Sequence, residues 1–111
     1  MRVPIRFRGK EYYADSWHYG YYVQAAECIN GLKYGYIYKD NGTKIIVDPD
    51  SVVQLIGYDS IGQEVYEGDK LVIYEDDDDR KRKKIIDRAT AKLIPNVRFE
   101  DFYNTWEDKH Q

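Results

Sequence analysis

The sequence predicts a mainly β (α+β) fold: a small antiparallel sheet or partly open barrel with a short C-terminal helix. Short runs of β-branched and aromatic residues recur along the chain, and turn-forming residues separate them. The 12 Tyr, 3 Phe and 2 Trp must supply much of the buried area, because Leu is scarce. At 111 residues we expect a single domain over residues 1–111.

The first predicted strand covers residues 2–8, where apolar and basic residues alternate. The alternation gives one apolar side and one side that carries Arg2, Arg6 and Arg8. Such a row of arginines is usually the solvent-facing side of a half-buried strand. An anionic partner on that row is the less favoured interpretation.

Three further runs complete the first half of the chain. Residues 17–24 alternate again, and residues 32–39 do so with tyrosines on one face. Those tyrosines are Tyr34, Tyr36 and Tyr38. Asp-Asn-Gly at residues 40–42 then leads into the β-prone run 43–47, which predicts a hairpin with a type I′ turn.

The second half continues with short elements. Residues 48–51 predict a proline turn, and residues 52–56 a short buried segment. Two more strands are predicted at residues 64–66 and 70–74, with a Glu-Gly-Asp turn between them.

Residues 75–84 contain five acidic residues followed by five basic residues. Such blocks cannot be buried, so we expect a solvated hairpin tip or loop. Residues 85–95 fit a helix or a strand, and we favour a strand that mirrors residues 71–74. In the remainder of the segment 85–111, apolar residues at i, i+3, i+4 and i+7 from Phe99 to Trp106 predict a short helix.

Residues suited to catalysis or metal binding are few. His18, His110 and Cys28 are the only histidines and thiol, and none has metal-ligand spacing. Carboxylates cluster in the two turns at residues 48–50 and 64–69, where a hydrolytic site is conceivable. Turn carboxylates more often bond local amides, so we expect a structural role, no cofactor and no enzyme.

The overall charge is −3, which gives no general bias toward nucleic acid. The basic block 80–84 resembles a phosphate-binding element, but the acidic block beside it offsets its charge. No apolar run is long enough to span a membrane, and the chain start is unlike a signal peptide. We therefore expect a cytoplasmic protein with no membrane partner.

Five motifs follow one another between residues 1 and 74. They are a strand at 5–10, Trp-x-Tyr-Gly at 17–20, V-x-P-x-S-V at 47–52, Q-x-x-G at 54–57 and G-x-E-V-Y-E-G-D at 62–69. In order and spacing they resemble the signature of the YopX-like family of bacteriophage and prophage proteins. Val53 departs from the family, which often has Gly there. The signature residues are Trp17, Gly20, Pro49, Gln54, Gly57, Gly62, Tyr66, Glu67, Gly68 and Asp69.

The resemblance implies a mainly β fold and a phage or prophage gene, and it brings no catalytic residues. We expect a non-enzymatic accessory protein of the bacterial host cytoplasm that binds protein, as a homo-oligomer or on a host or phage protein. The alternative is a nucleic-acid-binding module in which tyrosines stack on single-stranded bases. The candidate contact residues are Tyr34, Tyr36, Tyr38, Arg6, Arg8, Arg80, Lys81, Arg82, Lys83 and Lys84.

Overall fold

The computed structural model describes residues 3–25, 31, 33–76, 83–92 and 98–106, with the backbone alone at 74–76 and 83–87. The fold is mainly β with antiparallel pairing, as the sequence predicts. The chain divides into two compact units, Met1–Leu55 and Ile56–Gln111. That residues 1–111 form a single domain stays a prediction. Strands in the described residues are β1 (Phe7–Lys10), β2 (Trp17–Gln24), β3 (Gly35–Tyr38), β4 (Lys44–Val47), β5 (Val53–Tyr58), β6 (Glu64–Tyr66), β7 (Lys70–Asp76), β8 (Lys83–Thr90) and β9 (Tyr103–Asn104).

In the first unit the strands pair in the order β4–β3–β2–β1, and the start of β5 pairs with β1. The outer edge of β4 pairs with the segment that directly follows β1 in the chain. Glu11 forms a bridge with Val47, and the Tyr12 N–H donates to the Ile46 carbonyl at 3.0 Å. The sheet therefore curls, and these bonds satisfy backbone groups at the β4 edge.

One face of this sheet forms the core of the first unit. Ile37 and Val47 are fully buried there. Their side chains and that of Val52 lie within 3.3 Å of the position that a Cβ on Gly9 would take. The Tyr22 ring covers Gly35 in the same way, so small residues opposite large ones give close packing.

The hairpin predicted at residues 40–42 is confirmed, but its loop differs from a two-residue type I′ turn. The Lys39 N–H donates to the Thr43 carbonyl, and the Gly42 N–H donates to the Lys39 carbonyl, both at 2.9 Å. Gly42 has φ 87°. These bonds define a three-residue loop whose last residue is left-handed, a common hairpin connection. Asp59–Gln63 forms a second loop with the same bonding, with Gly62 at φ 84°.

The predicted strand over residues 2–8 is wrong in its start and in the solvent exposure of its residues, although Phe7 and Arg8 lie on opposite faces of β1 as predicted. β1 begins at Phe7, and Ile5 on the supposedly buried side is 67% exposed. Arg8 on the supposedly solvated side is only 3% exposed. Pro4 supplies no backbone N–H for pairing, which suits a start after it. The Trp17 ring covers the Arg8 guanidinium, which accounts for the burial of this arginine.

The second unit contains β6 next to the end of β5, and a sheet of order β8–β7–β9. The strand favoured for residues 85–95 is confirmed over residues 85–90, which belong to β8 and pair with β7. Residues 91–92 are not strand, and residues 93–95 lie outside the described residues. The register places Glu75 opposite Lys84 across the hairpin. Residues 77–82, which include most of the predicted charged tip, lie outside the described residues. The core of this unit consists of Val65, Leu71, Ala91 and Phe99, with Ile56 and Phe102 packed against them.

The C-terminal helix predicted from Phe99 to Trp106 is wrong over residues 99–105. Phe99–Asp101 form one 3-10 turn, and Tyr103–Asn104 form β9, which pairs with β7. The Phe99 ring lies so close to Gly57 that a Cβ there would stand 2.5 Å from it. Packing of the aromatic residues therefore outweighs their helical spacing, because a short helix gains little stability without such packing.

Candidate interaction surface

The side of the first-unit sheet away from its core carries an aromatic surface. Alternation along β2 puts Trp17, Tyr19, Tyr21 and Val23 on this side. The β2–β3 register continues it, because Tyr21 lies opposite Tyr38 and Val23 lies opposite Tyr36. We call these six residues the aromatic face: Trp17, Tyr19, Tyr21, Val23, Tyr36 and Tyr38.

Part of the aromatic face is open to solvent. Tyr21 is 63% exposed, Val23 48% and Tyr38 38%, whereas Ile37 on the other side of β3 is fully buried. The three exposed residues are neighbours across the β2–β3 pair. Contiguous exposed apolar side chains are more typical of binding sites than scattered ones.

Three cations lie over rings of this face. The Arg8 Cζ is 5.6 Å from the centre of the Trp17 ring, and the Arg6 Cζ is 5.9 Å from that of Tyr19. On the far strand, the Lys44 Nζ is 4.5 Å from the centre of the Tyr36 ring. Such contacts hold the rings in fixed orientations and place positive charge among them.

The two tyrosines of β3 and Tyr34 just before it also contact one another. The Tyr34 and Tyr36 rings are 5.4 Å apart and nearly perpendicular, and the Tyr36 and Tyr38 rings are 6.5 Å apart. The predicted common face of these tyrosines is therefore confirmed. The first of these pairs is edge-to-face and the second is tilted, and both are within the range of distances at which rings attract each other.

Three acidic side chains of the first unit act on residues of the core side of β2. Burial raises the pKa of Tyr22, and the negative charges of Asp48 and Asp50 raise it further. Tyr22 belongs to the core side of β2, as does His18, whose Nε2 lies 3.5 Å from the Glu11 Oε2. Residues 1–55 hold 7 of the 17 basic and 6 of the 20 acidic residues. The first unit is therefore close to neutral in formal net charge.

A surface depression of about 310 Å³ adjoins the aromatic face near the β3–β4 loop. Its lining combines two rings, cationic and acidic groups, an imidazole and an amide. Arg6 and Asp40 form an ion pair there, with the Arg6 Nη1 3.4 Å from the Asp40 Oδ2. The lining residues are Arg6, Trp17, His18, Tyr19, Lys39, Asp40 and Asn41.

The turn carboxylates bond backbone amides of the turns. The Asp48 Oδ1 accepts from the Asp50 N–H at 3.0 Å, and the Asp69 Oδ2 accepts from the Tyr66 N–H at 2.9 Å. These bonds fit the structural role expected for both turns. Among the described residues, no group of three or more His, Cys, Asp or Glu is placed to hold a metal ion.

Sequence reasoning missed the polar centre of the second unit. Asp59 accepts hydrogen bonds from the Ile61, Gln63 and Asn104 N–H groups, at 3.0, 2.8 and 2.9 Å. The Asn104 Nδ2 in turn donates to the Asp69 Oδ2 at 2.8 Å. All three polar residues at its centre are nearly fully buried. An Asp at the start of a Ser-Ile-Gly loop was the one local signal for this arrangement.

The signature residues fall into structural positions. Gly57 lies beneath the Phe99 ring, and Gly20 lies against the Tyr38 carbonyl, where a side chain would collide. Tyr66 is buried, with its hydroxyl donating to the Glu64 Oε1 at 3.0 Å. Gly68 has φ 92° in the Tyr66–Asp69 turn. Of the remainder, Trp17 belongs to the aromatic face, Pro49 starts a 3-10 turn, Gly62 closes a loop, and Gln54 and Glu67 are exposed.

The predicted contact residues divide into four groups. Tyr34, Tyr36, Tyr38 and Arg6 lie at or beside the aromatic face, whereas the burial of Arg8 removes it as a direct contact. Lys83 and Lys84 are described only as backbone of β8. The remaining three, Arg80, Lys81 and Arg82, lie outside the described residues.

Comparison with known proteins gives no relative whose surface could be compared with this one. Neither the protein-family models nor the curated proteins nor the solved structures contain a match to the chain. Within the described residues, no helix is long and apolar enough to cross a membrane.

Proposed function

We propose that this chain is a non-enzymatic phage or prophage accessory protein that binds polypeptide through its aromatic face, in the cytoplasm of a bacterial host. The phage origin rests on the resemblance to the YopX-like signature. The binding role rests on one observation: Tyr21, Val23 and Tyr38 form a contiguous exposed patch on an ordered strand pair. Tyrosine is enriched in protein interfaces, and charged residues are depleted from their centres.

A second copy of the chain is the first partner to test. The aromatic face would then meet the same face of another copy about a two-fold axis, which is the commonest symmetry of homo-oligomers. Burying the exposed part of Tyr21 on association contributes about 1–2 kcal/mol, since full burial of an aromatic ring contributes about 1.5–3 kcal/mol. Two symmetry-related tyrosines at the centre would double that contribution.

Replacing Tyr21 with Ser tests the face directly. We expect the dimer dissociation constant to rise at least about tenfold, because 1.4 kcal/mol corresponds to a factor of ten. Sedimentation velocity over a concentration series measures that constant. Tyr13→Ser is the matched control, since Tyr13 is a more exposed tyrosine in a loop away from the face. A protein that is monomeric throughout, or equal association in both variants, would contradict self-association through this face.

Nucleic-acid binding is the second candidate, and the cation–ring contacts favour it. Surfaces that bind single strands combine cations with rings on which bases stack, and Lys44, which is exposed, forms such a pair with Tyr36. Binding of a labelled single-stranded oligonucleotide, followed by fluorescence anisotropy, would weaken steeply with salt. It would also weaken in Lys44→Gln and not in Lys70→Gln, a control lysine of the second unit that donates to Thr90. Anisotropy that stays flat at low salt would eliminate this candidate.

A further inference from the structure

We infer that the depression between the aromatic face and the β3–β4 loop binds a nucleotide, with its base against the rings and its phosphate at the cations. This site shares Trp17 and Tyr19 with the aromatic face, but it does not depend on the polypeptide contact proposed above, which rests on Tyr21, Val23 and Tyr38. The depression, about 310 Å³, is at the lower end of the range of about 300–1,000 Å³ for small-molecule sites. Its size suits one nucleotide better than a longer ligand.

The two rings that line the depression supply a stacking surface. Trp17 and Tyr19 are both partly exposed, and they are neighbours on one side of β2. The Arg6 guanidinium over Tyr19 shows that a planar cation is already accommodated against this ring. Every nucleobase presents a planar π-face, so aromatic side chains bind bases with little dependence on sequence.

The cations lie where a phosphate would be needed. Arg6 and Lys39 both line the depression, and its acidic lining residue is Asp40. The Arg6–Asp40 contact is long, at 3.4 Å, and the Asp40 carboxylate is largely exposed. An exposed pair of this kind is weak. A phosphate, with more negative charge and more acceptor oxygens than a carboxylate, would compete with Asp40 for the guanidinium.

This competition predicts opposite effects of two substitutions on the affinity for the ligand. Removing the positive charge of Arg6 should weaken binding, whereas removing the negative charge of Asp40 should strengthen it. A variant that merely disturbs the fold would not bind more tightly. The opposite signs therefore separate a ligand site from a structural ion pair.

The experiment is a titration of Trp fluorescence with adenosine 5′-monophosphate at low salt, with adenosine and inorganic phosphate as partial ligands. We expect saturable quenching that is absent in Trp17→Phe, and tighter binding of the monophosphate than of either part. Arg6→Gln should raise the dissociation constant at least about tenfold, as expected for loss of a charged hydrogen bond. Asp40→Asn should lower it severalfold.

The Lys10–Asp15 ion pair, at 3.0 Å, provides charge-matched controls outside the depression. Lys10→Gln and Asp15→Asn make the same changes in net charge, and we expect both to bind like the wild type. Thermal melting of each variant checks that it is folded. If the Lys10 and Asp15 variants changed the dissociation constant as much as the Arg6 and Asp40 variants, general electrostatic attraction would explain the binding. That result would overturn the inference.

A short 5′-phosphorylated oligonucleotide distinguishes the two sources of this ligand chemistry. Tighter binding of the oligonucleotide, with the same response to Arg6→Gln and Asp40→Asn, would assign the site to the end of a single strand. Tighter binding of the monophosphate would assign it to a free nucleotide. No saturable change in Trp17 fluorescence with either probe would overturn the inference.

Discussion

Tyr22 connects the core of the first unit to an acidic turn. Its ring covers Gly35 and lies 6.1 Å from that of Phe7. Burial raises the pKa of its hydroxyl, and the nearby charges of Asp48 and Asp50 act in the same direction. Ionisation of Tyr22 is therefore harder in the folded chain than in the unfolded one.

This shift predicts loss of stability in alkali. Below the ordinary pKa of 10.0 both states keep the proton, so the contribution of Tyr22 is fully present. As the pH rises above that value the unfolded chain ionises first, and the contribution is lost through the raised folded pKa. Urea unfolding from pH 8 to 11 measures it, and we expect a shallower decline in Tyr22→Phe than in the wild type. Parallel declines in the two proteins would refute the assignment, and Tyr13→Phe controls for loss of a hydroxyl elsewhere.

At the scale of the element, the two three-residue hairpin loops are alike in backbone and different in anchoring. In the β3–β4 loop, the Asn41 Oδ1 accepts one amide, that of Thr43, and the side chain is exposed. In the β5–β6 loop, Asp59 accepts two amides of the loop and one from β9, and it is buried. The second loop therefore depends on one side chain to join two elements.

Replacing Asp59 with Ala leaves three amides without their acceptor, one of them buried and two partly buried. We expect the free energy of unfolding to fall by about 3 kcal/mol, since each buried group left unsatisfied costs about 1–3 kcal/mol. Asn41→Ala should lower it by less than about 1 kcal/mol, because water can replace an exposed partner. Chemical denaturation measures both values. Similar losses in the two variants would show that the buried bonds add nothing beyond the loop geometry.

The same elements show how far the sequence alone could lead. The hairpin at residues 40–42 was predictable because its signal is local: a Gly at the position with φ 87° between two β-prone runs. β8 was predictable as the mirror of β7. The burial of Arg8 was not, since it depends on Trp17 in the next strand. Nor was β9, because Asn104 bonds Asp59, 45 positions earlier in the chain.

Of the candidate surface, the tyrosine row of β3 was predictable from alternation alone. The depression was not, because it combines residues from three separate parts of the chain, represented by Arg6, Trp17 and Asp40. Only the pairing of β1, β2 and β3 brings those parts together. Local periodicity gives the face on which a residue lies and not its neighbours on other strands.

At the scale of the whole molecule, β5 runs through the boundary between the two compact units. Val53 and Gln54 pair with β1 of the first unit, and the residues from Ile56 onward belong to the second. Each unit also holds one of the two tryptophans, Trp17 and Trp106. Loss of β5 structure would therefore remove part of both units.

We expect both units to unfold in one transition. Single-tryptophan variants, Trp17→Phe and Trp106→Phe, let fluorescence report on each unit separately during urea denaturation. The two midpoints should coincide after correction for the cost of each substitution, and Asp59→Ala should lower the midpoint seen by Trp17 as well as that seen by Trp106. If Asp59→Ala left the midpoint reported by Trp17 unchanged, the two units would instead unfold independently.

The bonds from Glu11 and Tyr12 to β4 also bear on solubility. β4 contains Ile45, Ile46 and Val47, and a short apolar strand with an open edge is a template for intermolecular pairing and fibril growth. In the folded chain the segment after β1 pairs with that edge at Ile46 and Val47. A lesion that detaches this segment would uncover the edge while the rest of the sheet persists. Its first consequence would then be precipitation of the protein, before any measurable loss of secondary structure.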